Sequence, residues 1–458
     1  MKIRFISACI VMLLLVGLLV SCGGVDPLTT ENGGRDTKSP SETSYEVLAR
    51  PEGADWSRFE AGEDDGTNDV FSLLAVDGDW VYPQSFLAYY TPDDKRDYMG
   101  KEVQTAYKFN LLTRDYSPVC LDPVCRHSTN EKSSECPFAG GFRVIGIEDD
   151  RIYYVSRYPS SEDDDLTTFH PSIYVYDTKS LACTRLCSSF LFMDVSNYFQ
   201  LLDGKIYYIE DELTGDYAFD RYLCAYDLNK GKSARLMKYD SFYFTDTTDI
   251  CDETIVYERG LNLRAVDRDG RAYFQTVKKK VRGVNEDGLE CWITETVCSI
   301  CAAEINDENS ITPLPDSETS SGICAVGKGI VYLLDKKNSK NVLYAYDVQD
   351  GKKVVDEITG GARIYGDMLI YRKTKQIVMK NLETGEEQFF DLPESAEGTL
   401  PDNATVVRYE EGRIFLKKFS YITNPAIGDG EIVIFDLVTN QLYPLHYQTP
   451  EMYESAGE

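Results

Sequence analysis

Asp203-Gly204-Lys205-Ile206-Tyr207-Tyr208, followed after a looser interval by Leu223-Cys224-Ala225-Tyr226-Asp227-Leu228, is the stretch whose reading decides the fold. An Asp-Gly pair supplies the backbone conformations of a tight turn, and alternating Ile and Tyr suit a pleated surface with one buried face. The same unit returns as Gly327-Lys328-Gly329-Ile330-Val331-Tyr332 leading to Leu343-Tyr344-Ala345-Tyr346-Asp347-Val348. Further turn-plus-strand markers stand at Asp77–Tyr82, Asp149–Tyr154, Asp252–Tyr257, Gly366–Tyr371 and Glu411–Leu416, with a weaker one at Asp287–Trp292. A supersecondary unit recurring at roughly 35 to 70 residues marks a repeat array, and all-strand units of that length read as propeller blades.

The second half of several units ends in another turn, as in Asp227-Leu228-Asn229-Lys230-Gly231, Asp347-Val348-Gln349-Asp350-Gly351, Leu382-Glu383-Thr384-Gly385 and Asp436-Leu437-Val438-Thr439-Asn440. These read as hairpins between outer strands. Long amphipathic helical stretches are missing, which argues against an α/β arrangement. The expectation is an all-β propeller over residues 46–458. Eight markers predict eight blades; seven follow if strands from the two termini complete one shared blade, so that no edge is left open. Blades pack only on their neighbours, so a chain of about 410 residues escapes the size limit of a single core.

The Ile-Tyr-Tyr and Tyr-Asp-Leu recurrences resemble the YWTD propellers of low-density-lipoprotein receptors and the Tol-type propellers of bacterial envelopes, over residues 70 to 446. This chain departs from the receptor pattern in carrying tyrosine where that pattern prefers tryptophan. The resemblance implies a fold and a binding habit, not a reaction.

Residues 1–21 read as an export leader: Lys2 and Arg4 precede an uncharged run from Phe5 to Ser21, too short to be a typical membrane span. Leu19-Val20-Ser21-Cys22 resembles the bacterial lipoprotein lipobox, which implies cleavage before Cys22, diacylation of its thiol and retention at a membrane surface. The bland alternative is an ordinary secretory signal whose cleavage site contains a cysteine. Two acyl chains anchor stably where one does not. Residues 22–45, rich in Gly, Ser, Thr, Pro and Asp, read as a flexible tether that reaches about 30 Å. The expected location is therefore extracytoplasmic, anchored to the cell membrane by an N-terminal lipid.

Formal net charge is −29, and loss of the leader with Lys2 and Arg4 makes it −31. Such a surface repels polyphosphate backbones and anionic headgroups, which excludes nucleic acid as a partner class. Acidic runs such as Glu162-Asp163-Asp164-Asp165 read as solvated loops.

One segment, 118–138, does not fit the repeat. It holds Cys120-Leu121-Asp122-Pro123-Val124-Cys125-Arg126-His127 and then Cys136-Pro137-Phe138. Cys120, Cys125, His127 and Cys136 make a Cys₃His set, the composition of many structural zinc sites, although C-x₂₋₄-C spacing is commoner. The segment resembles a cysteine-rich insertion of propeller lipoproteins from anaerobic bacteria. Three readings stand open: a zinc clip, a disulfide with one thiol left over, and free thiols. Of thirteen cysteines, Cys9 belongs to the leader and Cys22 to the anchor, so the remaining odd number leaves at least one thiol unpaired. Cys224, Cys251 and Cys324 sit in apolar strand contexts and read as small core residues. Cys298-Ser299-Ile300-Cys301 has redox spacing without the strand-to-helix setting that lowers a thiol pKa.

Catalytic patterns are scarce. His127, His170 and His446 are the only histidines, so His-Glu-x-x-His is impossible, and no Gly-x-Ser-x-Gly elbow occurs. Gly231-Lys232-Ser233 and Asp267-Arg268-Asp269-Gly270 lack the residues of a phosphate or calcium loop and read as turns. No catalytic residue is assigned. The sequence points to a monomeric, membrane-tethered propeller that binds an envelope protein or glycan. A carbohydrate-active hydrolase or lyase with carboxylates in the funnel is the rival, and a purely structural module the third reading.

Overall fold

The computed structural model describes residues 59, 74–83, 107–111, 116–125, 136–138, 142–156, 171–187, 198–215, 218–243, 254–282, 293–338, 340–347, 350–393, 404–417 and 432–445. The leader, Cys22, the tether, all three histidines and the weak marker at 287–292 lie outside them.

Each sheet is an antiparallel meander in chain order. The first contains β1 (Leu74–Asp77), β2 (Trp80–Pro83), β3 (Tyr107–Asn110) and β4 (Tyr116–Pro118). The second contains β5 (Phe142–Glu148), β6 (Arg151–Ser156), β7 (Ser172–Asp177) and β8 (Cys183–Arg185). The third contains β9 (Phe199–Leu202), β10 (Lys205–Gly215), β11 (Ala218–Asp227) and β12 (Lys232–Tyr243), and the fourth β13 (Thr254–Val266), β14 (Arg271–Arg282), β15 (Ile293–Glu304) and β16 (Thr312–Pro313). A seven-stranded sheet runs through β17 (Gly322–Gly327), β18 (Ile330–Lys337), β19 (Lys340–Asp347), β20 (Gly351–Tyr365), β21 (Met368–Lys373), β22 (Gln376–Asn381) and β23 (Glu387–Asp391). The last sheet holds β24 (Thr405–Glu410), β25 (Arg413–Lys417), β26 (Ile432–Asp436) and β27 (Gln441–Leu445). No α-helix occurs among the described residues, and none of their helices is long and apolar enough to cross a membrane.

The seven-stranded sheet is two meanders sharing one strand. β20 pairs with β19 through Gly351–Ile358 and with β21 through Thr359–Tyr365. Between the two halves, Gly360 has φ +78°, and a Cβ there would stand 2.7 Å from the Thr405 side chain of β24, so the bend needs glycine. The hydroxyl of Thr405 accepts the Gly361 N–H at 2.6 Å and ties the bend to the next sheet.

Six of the eight markers are two-residue hairpin turns between the first and second strands of a meander, as the pairings Leu202↔Lys205, Gly327↔Ile330 and Glu410↔Arg413 illustrate. Asp203, Lys328 and Glu411, each followed by glycine, have φ of 49°, 54° and 46°, which matches the right-handed strand twist. The second turns form as expected: the Oδ1 of Asp227 accepts the N–H groups of Asn229 and Lys230, and that of Asp436 accepts those of Val438 and Thr439.

The fourth sheet differs from the sequence pattern. The marker at 252–257 enters β13 itself, and the weak marker falls between β14 and β15. Its first hairpin is Asp267-Arg268-Asp269-Gly270, where Asp267 accepts the Arg271 N–H at 2.8 Å and the Tyr273 hydroxyl at 2.9 Å.

The sheets form a propeller-like ring. First strands lie side by side, β1 against β5, β5 against β9, β17 against β20 and β20 against β24, and β24 returns to β1. Apolar clusters fill the gaps between sheets. Leu74, Val76, Val81 and Leu111 of the first sheet's region pack with Val407, Phe415, Ile432 and Ile434 of the last, closing the ring. Strand tyrosines such as Tyr154, Tyr176, Tyr273 and Tyr371 are fully buried, so packing between sheets is their main use.

Along the turn edge, opposite charges link neighbouring sheets: Arg268 to Asp203, Lys328 to Asp367, and Arg413 to Asp79. Arg413 is only 4 % exposed and also lies 4.0 Å from the buried Asp436. Removing one partner of a buried pair leaves an uncompensated charge, at a cost of about 3–5 kcal/mol. Arg413→Met is therefore expected to lower the unfolding free energy measured in urea by that order, whereas Lys328→Met, at a half-exposed pair, shifts it by about 0.5 kcal/mol or less. Equal losses in the two variants would show that Arg413 has no special part in closure.

Candidate metal centre

The connection between the first two sheets leaves β4 at Pro118 and folds against the second sheet before entering β5. Three of its side chains converge. The Sγ atoms of Cys120, Cys125 and Cys136 all lie within 4.8 Å of one another. Cys120 and Cys136 are buried, Cys125 is half-buried, and none is in a disulfide. The fourth expected ligand, His127, is outside the described residues.

Local chemistry explains the convergence. Asp122 accepts the Val124 N–H at 2.9 Å, and its carbonyl accepts the Cys125 N–H at 3.1 Å, so Asp122-Pro123 forms a tight turn that folds Cys125 back toward Cys120. The Leu121 N–H donates to the Tyr176 hydroxyl at 2.9 Å, and that hydroxyl is also hydrogen-bonded to the Cys120 thiol. Phe138 packs between Tyr154 and Tyr176, with ring centroids 4.7 and 5.1 Å away. The Tyr154 hydroxyl donates to the Pro137 carbonyl at 3.0 Å and touches the Cys183 thiol at 3.1 Å. The described part of this connection is thus fixed to β6, β7 and β8 of the next sheet.

The electrostatics are those of thiols crowded in a poorly solvated place. The Cys120 thiol and burial push the Cys136 thiol well up. Burial and its thiol neighbour also push the Tyr176 phenol up to about 12. Thiols this close disfavour one another's ionisation unless a cation is shared among them.

Other sequence candidates lie apart from this cluster. Cys298 and Cys301 are buried inside β15, and the raised pKa of Cys301 comes from burial. Cys224 and Cys324 are buried as expected of small core residues. The partners that sequence reasoning missed are Tyr154, Tyr176 and Cys183, since they lie on strands of the following sheet and no spacing in the chain announces them.

No protein-family profile matches the chain, and no curated protein matches it. Solved structures match the chain at low similarity. An acylaminoacyl peptidase of Pyrococcus horikoshii is 10 % identical, with 85 % of this chain and 55 % of that one covered and a TM-score of 0.39. A dipeptidyl peptidase 4 of Porphyromonas gingivalis is 10 % identical, with 83 % and 53 % covered and a TM-score of 0.34. An ulvan lyase of a polysaccharide lyase family is 11 % identical, with 86 % and 98 % covered and a TM-score of 0.36. The chain spans about half the length of these two peptidases.

Tyr176→Phe removes the acceptor of a part-buried N–H and the contact to Cys120 while keeping the ring. An unsatisfied buried donor costs about 1–3 kcal/mol, so the reduced variant should lose unfolding free energy of that order in urea, with a lower midpoint. An unchanged midpoint would mean that water serves Leu121 instead.

Proposed function

We propose that the protein is a seven-bladed propeller, tethered outside the cell through Cys22, that binds an envelope protein or glycan on a wall raised by its third and fourth blades. Seven is the number of meanders when the shared β20 is counted in both of its sheets, with the Asp267–Gly270 hairpin as the marker of the fourth.

The observation that carries the binding face is the length of strands in those two blades. β10 pairs with β9 only through Lys205–Tyr208, yet it continues to Gly215 on β11, and β11 in turn pairs with β12 out to Tyr243. At about 3.3 Å per residue, seven further residues extend roughly 20 Å. β13 and β14 extend likewise, pairing from Val266 and Ala272 to Thr254 and Arg282. Arg268 and Asp203 join the two turns at 3.4 Å, so both extensions rise on the side opposite the turns.

The face between the blades carries a row across three strands, Asp211↔Arg221↔Asp240, with Asp211 and Arg221 buried and Asp240 half-buried. The Arg221 guanidinium donates to both Asp211 oxygens, at 2.7 and 3.2 Å. Gly260 of β13 sits so close to Asp240 that any Cβ would collide with its carboxylate. Burial pushes the Asp240 carboxyl up, and its Oδ2 finds no donor.

The other face is a ladder of charge and ring. Arg235 reaches Glu210 and Glu212 at 2.7 and 2.9 Å and lies 4.3 Å from the centre of the Tyr222 ring. Lys238 pairs with Asp220 at 2.8 Å. Pre-ordered aromatic and guanidinium groups at a polar surface are favourable anchors for a protein or saccharide partner.

Crosslinking on intact cells, with mass-spectrometric identification, tests the reading. Wild type should capture a reproducible protein neighbour or cell-wall glycan, and Arg235→Glu with Tyr222→Ala should lower the yield by about fivefold or more, as the loss of a binding anchor worth over 1 kcal/mol requires. Equal capture by the variant would remove the wall as the binding face. Cys22→Ala should move the protein from the membrane to the soluble fraction; a variant that still sediments with membranes would refute the anchor.

A further inference from the structure

We infer that Cys120, Cys125 and Cys136 bind a tetrahedral zinc ion, and that this ion locks the junction between the first two blades. The inference stands independently of the binding wall.

Zinc–thiolate bonds of about 2.3 Å place the sulfur ligands of a tetrahedron roughly 3.8 Å apart. Three Sγ atoms mutually within 4.8 Å need only small rotamer adjustments to reach that spacing. A disulfide needs sulfurs about 2.05 Å apart and would use two of the three thiols, stranding the last. The donor set also selects the metal. Three sulfurs suit a borderline-soft ion and exclude magnesium and calcium, which take oxygen ligands. A fourth tetrahedral position remains beyond the three sulfurs.

The surroundings are those of an outer ligand shell. The Tyr176 hydroxyl is hydrogen-bonded to Cys120 and accepts the N–H of Leu121, the residue that follows this ligand. Such partners hold a ligand sulfur in place and favour its thiolate. Zinc binding would displace the thiol protons and relieve the repulsion among three ionised sulfurs.

What the ion accomplishes follows from where the thiols lie. Cys120 and Cys136 share one apolar cluster with Ala75 and Tyr82 of the first blade and Tyr154, Tyr174 and Tyr176 of the second, so the connection carrying them belongs to the junction of those two blades. A metal clip there would tie the two blades together, as the opposite-charge pairs Arg268–Asp203, Lys328–Asp367 and Arg413–Asp79 do at three other junctions.

The test uses the full-length protein, extracted from membranes in mild detergent under reducing, anaerobic conditions. Elemental analysis should find about one zinc per chain, and cobalt exchange should give the thiolate-to-cobalt charge-transfer band of a sulfur-rich tetrahedral site. Cys125→Ser should lose the zinc and weaken the band, while Cys183→Ser, which alters the neighbouring thiol outside the cluster, should keep both. Chelation should raise amide hydrogen exchange in β2, β3, β5 and β6 and leave β17–β23 unchanged. Wild type that takes up neither zinc nor cobalt when supplied with it overturns the site, whether or not Cys125→Ser folds. So does a native crosslink between any two of the three cysteines. Zinc loss from Cys183→Ser refutes the ligand set, and uniform exchange on chelation refutes the junction lock.

Discussion

Closure of the ring is the constraint on which the rest of this structure depends. Each meander has two faces that must be covered, and the first and last are covered only if residues near 75 meet residues near 410. The eight apolar side chains that meet there are each worth about 1.5–3 kcal/mol on full burial, far more than an ion pair contributes net. Arg413 therefore does not hold the ring shut by strength. Its guanidinium fits between Asp79 and Asp436 in one register, and sliding the last sheet by one residue would strand buried charge. Apolar burial drives closure and the ion network fixes its alignment.

The third and fourth blades show what the ring permits. Because neighbours hold each blade by its lower strand segments, β10 to β15 can extend beyond the ring without loss of the core. The extension is joined by long hydrogen-bonded ladders and by Arg221, which donates to both Asp211 oxygens. A desolvated Asp–Arg–Asp row specifies pairing more than it stabilises, since an apolar replacement of similar shape is often as stable. The outer face of β10–β12, where Arg235 and Lys238 meet their acids, stays solvated.

Much of this was legible in the chain, and the failures have a common cause. Two-residue turns with glycine announce themselves locally, which is why the hairpins at Gly78, Gly204, Gly329, Gly366 and Gly412 could be read. The fourth blade hid its hairpin because Asp267-Arg268-Asp269-Gly270 opens onto Arg271-Ala272-Tyr273-Phe274 rather than the Ile-Tyr-Tyr pattern. Its long first strand began with residues that imitate a marker. β20 concealed a blade boundary inside continuous strand, with Gly360-Gly361 as the only sign. For the thiol cluster, the three cysteines were visible because they are close in sequence. Tyr176 was not, because it meets Leu121 across 55 positions that only the ring brings together.

Charge is the remaining tension. With 76 acids against 47 Lys and Arg, the compact state must work against its own repulsion, and where the cations stand matters more than how many there are. Arg268, Lys328 and Arg413 stand at junctions between blades; Arg221, Arg235 and Lys238 stiffen the wall. Screening at physiological salt limits repulsion between exposed acids farther apart than about 8 Å, so most of the surplus is tolerable on the surface. At the junction of the first two sheets Cys120, Cys136 and Phe138 add apolar and thiol packing, which does not depend on charge and is indifferent to the surplus of acids.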